Sequence, residues 1–286
     1  MKRLLRWIGL GLAGLVAVAV FAVLGAFAAS EVMLRRTFPK AQTPLVAASD
    51  PAAVARGRLV ATVNGCHDCH GADMAGKLFH DEMPIVRVWA PNLTLAVAQQ
   101  SDAELEGAIR HGVAADGRSL WIMPSEAYAL LDDRETADLL AYLRTFPPRG
   151  EVQPAKQVGP VGRLGVLLGK FDSAPAMLKR EKGLRLAEVG PEHSQGRTLA
   201  RACVECHGPE LSGREVMKAP DLEIAASYDL EDFERLLRTG VAAGDRKVGL
   251  MTQVAPARFS GLSDEEIAAL HGYLKARADQ AAAAAS

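Results

Sequence analysis

The chain has 286 residues, 49% of them hydrophobic, with 33 Lys plus Arg against 34 Asp plus Glu. That length and apolar content suffice for a sizeable core in roughly one to three domains. The near-balance of charge leaves no basic excess to offset phosphates, which excludes nucleic acid as a partner.

Residues 1–30 read as a membrane anchor or a signal peptide. After Lys2, Arg3 and Arg6, the run from Trp7 to Ala29 carries no charge. As a helix it would be about 35 Å long, enough to cross a hydrocarbon core of roughly 30 Å. It also exceeds the ~7 to 15 apolar residues of a secretory core, although Ala26-Phe27-Ala28 has the small-x-small pattern of a cleavage site. The preceding cations place the amino end in the cytoplasm and the body outside the cytoplasmic membrane, in the periplasm, with Arg35, Arg36 and Lys40 weakening the asymmetry.

Residues 31–50 form a polar, Pro-containing linker. From there the chain is written twice, as units 51–148 and 192–280. "GRLVATVNGCHDCHG" from Gly57 answers "GRTLARACVECHG" from Gly196, with two residues inserted. "APNL" from Ala90 recurs as "APDL" from Ala219, "LEGAIRHGV" from Leu105 as "FERLLRTGV" from Phe233, and "LDDRETADLLAYLR" from Leu131 as "LSDEEIAALHGYLK" from Leu262.

Each unit reads as helical. An apolar segment from Gly57 leads into the first cysteine, and a second helix is predicted over 102–111 with Gly112 ending it. A third begins at Asp132 or Asp133 and stops at Pro147-Pro148. In the second unit Ser263 and Glu266 form a predicted capping box, and no strand series is apparent between these elements. Connection 149–191 holds "GRLGVLLGKF" and "MLKREKGLRLAEV", the latter a candidate helix packed across both units. Residues 281–286 read as a flexible tail.

All four cysteines lie in the two words "CHDCH" and "CVECH". On a helix, residues i, i+3 and i+4 share one side, so Cys66, Cys69 and His70 face one object, as do Cys203, Cys206 and His207. Cys-x-x-Cys-His is the attachment signature of c-type haem. Two thiols form thioethers with the vinyl groups, and the histidine reaches the iron. The competing readings are weaker. A body of this size needs no disulfide staples, zinc wants about four ligands where each word supplies two thiols and an imidazole, and a redox thiol pair expects a βαβ context.

A sixth iron ligand is suggested by an equal offset: Met123 follows Gly112 as Met251 follows Gly240. A thioether opposite histidine raises the iron's potential. Met74, Met83 and Met217 read as packing. His80 and His111 are competitors for iron, but Thr239 stands where His111 does in the first unit. Trp89, Trp121 and Tyr128 are large enough to wall a macrocycle, Arg87 is a candidate partner for haem propionates, and Asn92 and Asp221 are candidates for fixing their loops.

The order "CHDCH … PNL … GRSLWIMP … LLAYLR", then "CVECH … PDL … VGLM … LHGYLK", resembles two tandem class I cytochrome c domains. It is similar to the dihaem and trihaem electron-carrying subunits of exported alcohol, aldehyde or related dehydrogenases. A third Cys-x-x-Cys-His, carried by trihaem members, does not occur here. The resemblance implies an all-α fold of two tandem class I cytochrome c domains behind one N-terminal transmembrane helix, holding two covalently attached haem c groups. His70 and His207 then correspond to the proximal ligands, Met123 and Met251 to the distal ones.

Iron with both axial positions filled has no room for substrate, which points to single-electron transfer. The donor would be an exported dehydrogenase or quinol-oxidising complex, and the acceptor a cytochrome or terminal oxidase. Two alternatives stay open. One is a dihaem redox enzyme, such as a peroxidase or thiosulfate-oxidising cytochrome, with a labile ligand at Met251, which lacks the proline that follows Met123. The other is a haem-based sensing or assembly module without catalysis.

Overall fold

The computed structural model describes residues 2–40, 43–181 and 185–285. It opens with α1 (Lys2–Leu34), a helix long and apolar enough to cross a membrane and exposed along nearly its whole length. Only its far end is packed: Ser30 and Leu34 are buried.

In the first unit, α2 (Pro51–Val63) starts from Asp50, whose side chain accepts the Ala53 amide at 3.0 Å, with Pro51 fixing the first turn. The short α3 (Cys66–His70) follows. A hairpin of β1 (Lys77–Glu82) and β2 (Val86–Ala90) pairs antiparallel with an irregularity between Leu78 and His80. Then come α4 (Leu93–Gln99), α5 (Asp102–His111), α6 (Ser125–Tyr128) and α7 (Asp133–Leu143). The helix at 102–111 has the expected bounds, with a Ser101–Glu104 capping box and Gly112 at φ +65° closing it. Asp132 caps α7 in the same way with Glu135.

The connection contributes β3 (Gln157–Val158), which extends the hairpin beside β2. Next, α8 (Pro160–Leu167) packs against the end of α1, where Arg163 donates to Ser30 Oγ at 3.0 Å and Glu31 Oε2 at 2.7 Å. In α9 (Ala174–Arg180) the candidate helix is shorter than expected. Residues 182–184 of "MLKREKGLRLAEV" lie outside the described residues, and Leu186 to Gly190 are not helical.

The second unit repeats the plan with α10 (Ser194–Ala200), α11 (Val204–His207) and α12 (Leu230–Thr239). A two-residue pair, β4 (Val241–Ala242) and β5 (Arg246–Lys247), precedes α13 (Met251–Phe259) and α14 (Asp264–Ala285). The Ser263–Glu266 capping box forms as expected. Helix α14 continues through Ala285, because a run of alanine, the best helix former, extends a helix already nucleated.

The architecture is all-α in its main elements, and the hairpin and its third strand are the departure from expectation. The first and last helices of each unit pack face to face, α2 on α7 and α10 on α14. Buried residues of both units, from Ala61 to Leu274, join in one contiguous apolar cluster. Ion pairs cross between the units, with Arg201 reaching Glu135 at 2.6 Å and Arg214 reaching Glu126 at 3.7 Å.

Candidate haem-attachment sites

A glycine follows each cysteine word, and in the first unit another precedes it. Gly65, at φ +69°, breaks the chain out of α2 and starts α3, while Asn64 anchors that break by donating from Nδ2 to the Val60 carbonyl at 2.9 Å. Tyr128, buried in α6, donates its hydroxyl to the Asn64 carbonyl at 3.1 Å. After the histidines, Gly71 adopts φ +82°, ψ 160° and Gly208 φ +81°, ψ 165°, a conformation open to glycine.

Several backbone bonds just beyond recur in both units. Gly76 N donates to His70 O and Gly213 N to His207 O, each at 2.9 Å. Met74 and Leu211 occupy matching places, both fully buried and left-handed at φ +58° and +59°. Their carbonyls accept from Leu93 and Leu222 at 2.8 and 2.9 Å. The packing role expected of Met74 has its counterpart in Leu211.

This frame fixes both histidines. His70 Nδ1 lies 2.9 Å from the Pro91 carbonyl oxygen, and His207 Nδ1 lies 2.8 Å from that of Pro220. A carbonyl oxygen can only accept, so Nδ1 carries the proton and Nε2 keeps its lone pair. Burial lowers the pKa of both rings, which favours the neutral ligand form. An imidazole oriented by its other nitrogen is the usual arrangement for a metal-binding histidine.

None of the four cysteines is joined in a disulfide, and each is half-buried. Burial pushes Cys66 and Cys203 up to about 12 and Cys69 up to about 11, and raises Cys206 as well. A redox-active pair has the opposite bias, with a thiol lowered toward thiolate. Among the described residues, no group of three or more His, Cys, Asp and Glu side chains gathers as a metal donor set. Two half-buried thiols beside an oriented imidazole, twice over, fit a covalently attached haem.

The methionines are placed less symmetrically. Met123 and Met251 are both half-buried against the cluster that also receives Cys66 and Cys203. Met123 lies in the loop before α6, its carbonyl accepting from Ser125 at 2.9 Å, whereas Met251 opens α13. Equal spacing in sequence therefore gives unequal local backbone.

Other candidates are occupied elsewhere. Arg87 pairs with Asp81 across the hairpin at 2.9 Å, which takes the guanidinium expected for propionates. His80 meets Glu82 and His111 meets Glu106, each at 3.2 Å. Trp121 donates to Ser119 Oγ at 3.1 Å, and Trp89 is half-buried on β2. Asn92 is buried and fixes its loop as expected, donating to the carbonyls of Arg149 and Glu151 at 2.7 and 3.1 Å. Asp221 caps the corresponding turn and accepts from Arg277 at 3.0 Å. Sequence reading passed over Arg258, a buried arginine on α13 bonded to Asp68 and Glu205. The available signal was an acid just before the second cysteine in both words.

The cytochrome c family profile matches residues 54–147 and 194–278. The fructose dehydrogenase cytochrome subunit of Gluconobacter japonicus is 26% identical over 84% of this chain and 55% of its own length. The gluconate 2-dehydrogenase cytochrome c subunit of Pantoea cypripedii is 25% identical over 79% of this chain and 60% of its own. For the diheme cytochrome c-type protein of Cereibacter sphaeroides the figures are 24%, 84% and 90%. The chain thus spans little more than half the length of the two dehydrogenase subunits. Two profile matches, each containing one Cys-x-x-Cys-His word, imply covalently bound haem c, and the relatives support an electron-carrier role. This chain belongs to the cytochrome c family.

Proposed function

We propose that the chain is a dihaem c-type cytochrome, passing single electrons from an exported dehydrogenase or quinol-oxidising complex to a downstream cytochrome or terminal oxidase. The observation that carries this reading is the duplicated bond from histidine Nδ1 to a proline carbonyl, beside two half-buried thiols in each unit. When bound, each haem supplies a one-electron ferric–ferrous couple.

In this reading Cys66 and Cys69 attach the first group, and Cys203 and Cys206 the second. His70 and His207 present Nε2 to the irons, held in register by Pro91 and Pro220. Met123 and Met251 would supply the second protein ligand of each iron, thioethers that favour one-electron transfer over substrate binding. The apolar cluster shared by the two units excludes water from both sites. The α1 helix tethers the body to the outer face of the cytoplasmic membrane, restricting its search for partners.

Potentiometric titration of visible and near-infrared spectra tests this on wild type, Met123→Ala and Met251→Ala. Each substitution is expected to remove one of two methionine–iron signatures, and an unchanged signature rejects that ligand. A second reading, a dihaem redox enzyme, draws support from the different backbone at Met251. Rapid binding of carbon monoxide or peroxide by the untreated protein would favour it over the carrier.

A further inference from the structure

Arg258 projects from α13 of the second unit, between Ala255 and Phe259, which are buried in the common core. Its side chain is itself almost buried, at 8% exposure. Nε donates to Asp68 Oδ2 at 2.8 Å, and Nη1 donates to Glu205 Oε2 at 2.7 Å. These carboxylates have the same address in the two words, each directly preceding the second cysteine. One guanidinium therefore joins the first haem-attachment word to the second, across 190 residues of sequence.

The seat is shaped for that side chain. A Cβ on Gly65, the residue before Cys66, would sit 2.3 Å from Arg258 Cζ, so the left-handed glycine that starts α3 also makes room for the guanidinium. A planar fork can serve two carboxylates at once where a lysine offers a point charge. Without the cation, two carboxylates would face each other in a partly desolvated seam and repel. The corresponding stretch of the first unit, Met123 to Leu131, contains no arginine, so one residue serves both words.

Resting on the dihaem reading above, we propose that Arg258 is a positioning residue that clamps the two haem-attachment words together and, through its charge, raises both reduction potentials. A buried cation favours the electron-bearing form of a nearby iron. Removing it leaves Asp68 and Glu205 unneutralised beside both words.

The test uses the purified full-length holoprotein. A pyridine haemochrome assay of the wild type first counts covalent haems: fewer than two overturns the dihaem reading and this inference with it. Potentiometric titration then compares wild type with Arg258→Gln. Both one-electron waves are expected to move to lower potential, with the ferrous-to-ferric ratio at fixed poise falling on the order of threefold, where tenfold is about 59 mV. The triple variant Arg258→Gln, Asp68→Asn, Glu205→Gln removes the two anions as well as the cation, so both waves should rise from the single-variant values to wild type or above, a rescue that a purely structural role would not produce. If two haems are present and only one wave moves, neither moves, or the triple variant stays low, the inference is overturned while the carrier reading stands. Should Arg258→Gln yield no holoprotein, Arg258→Lys and the triple variant decide it: the lysine variant is expected near wild type and the triple variant at or above it, and either wave of the triple variant lying below wild type overturns it.

Discussion

His70 donates through Nδ1 to the carbonyl oxygen of Pro91 at 2.9 Å, and that one bond decides which nitrogen of the ring can meet a metal. The equivalent bond from His207 to Pro220 makes the arrangement a property of the repeat. Replacing His70 with Gln keeps both thiols but removes the oriented nitrogen. The expected result is loss of one low-spin signature from the visible spectrum, restored by added imidazole, with the second signature unchanged. His207→Gln should remove the other. A low-spin spectrum intact in either variant would exclude that histidine as a ligand.

The Gly57 and Gly196 positions, aligned in sequence, meet the last helix of their units in the same manner. A Cβ on Gly57 would lie 1.9 Å from the Asp138 carbonyl oxygen, and one on Gly196 2.0 Å from that of Ala269. Both obstacles are backbone, so no side-chain rotation relieves them, and α2 or α10 must lift away from its partner. Gly57→Ala and Gly196→Ala are each expected to destabilise the holoprotein by about 1–3 kcal/mol. Denaturant titration followed by haem absorbance measures this, and a midpoint equal to wild type would contradict the close approach.

Much of this was legible because the repeat supplies its own control. Paired caps at Asp132 and Ser263, and paired stops at Gly112 and Gly240, have local causes that a sequence displays. The hairpin was not legible, because β1 is exposed on every residue and shows no alternation, while only Val88 and Ala90 of β2 turn inward. Arg258 was hidden for another reason. Its partners lie 190 and 53 residues away, and nothing in "PARF" distinguishes a buried arginine from a solvated one.

The α1 helix is fastened to the body near the end of its apolar run. Arg163 of α8 reaches Ser30 and Glu31 and stacks 4.0 Å above the Phe27 ring. A chain lacking residues 1–30, exported behind a cleavable leader, is expected in the soluble fraction with an unchanged visible spectrum. Full-length protein should stay with the membrane after a high-salt wash, since an apolar span does not depend on ionic strength. Full-length protein released by salt would rule out the anchor. Arg163→Ala should leave fractionation unaltered and speed amide exchange in α8.

Asp102 ties the segment before α2 to the first unit, accepting the Ala47 amide at 2.7 Å and Arg144 Nε at 3.1 Å. Burial pushes its carboxyl up, but the Ala47 amide and the Arg144 guanidinium outweigh that and hold it below the ordinary carboxylate range. The unfolded chain, with a carboxyl near about 3.9, therefore takes up the proton first as pH falls. The contribution of Asp102 is complete above about pH 4 and drains away as pH drops through the lowered folded value. Asp102→Asn is expected to cost about 1.5 kcal/mol at neutral pH, the scale of a hydrogen bond to a charged group. Urea titrations across acid pH should show the gap between variant and wild type closing below about pH 4. A gap that persists undiminished there would mean that the Asp102 charge contributes nothing and that only its shape matters.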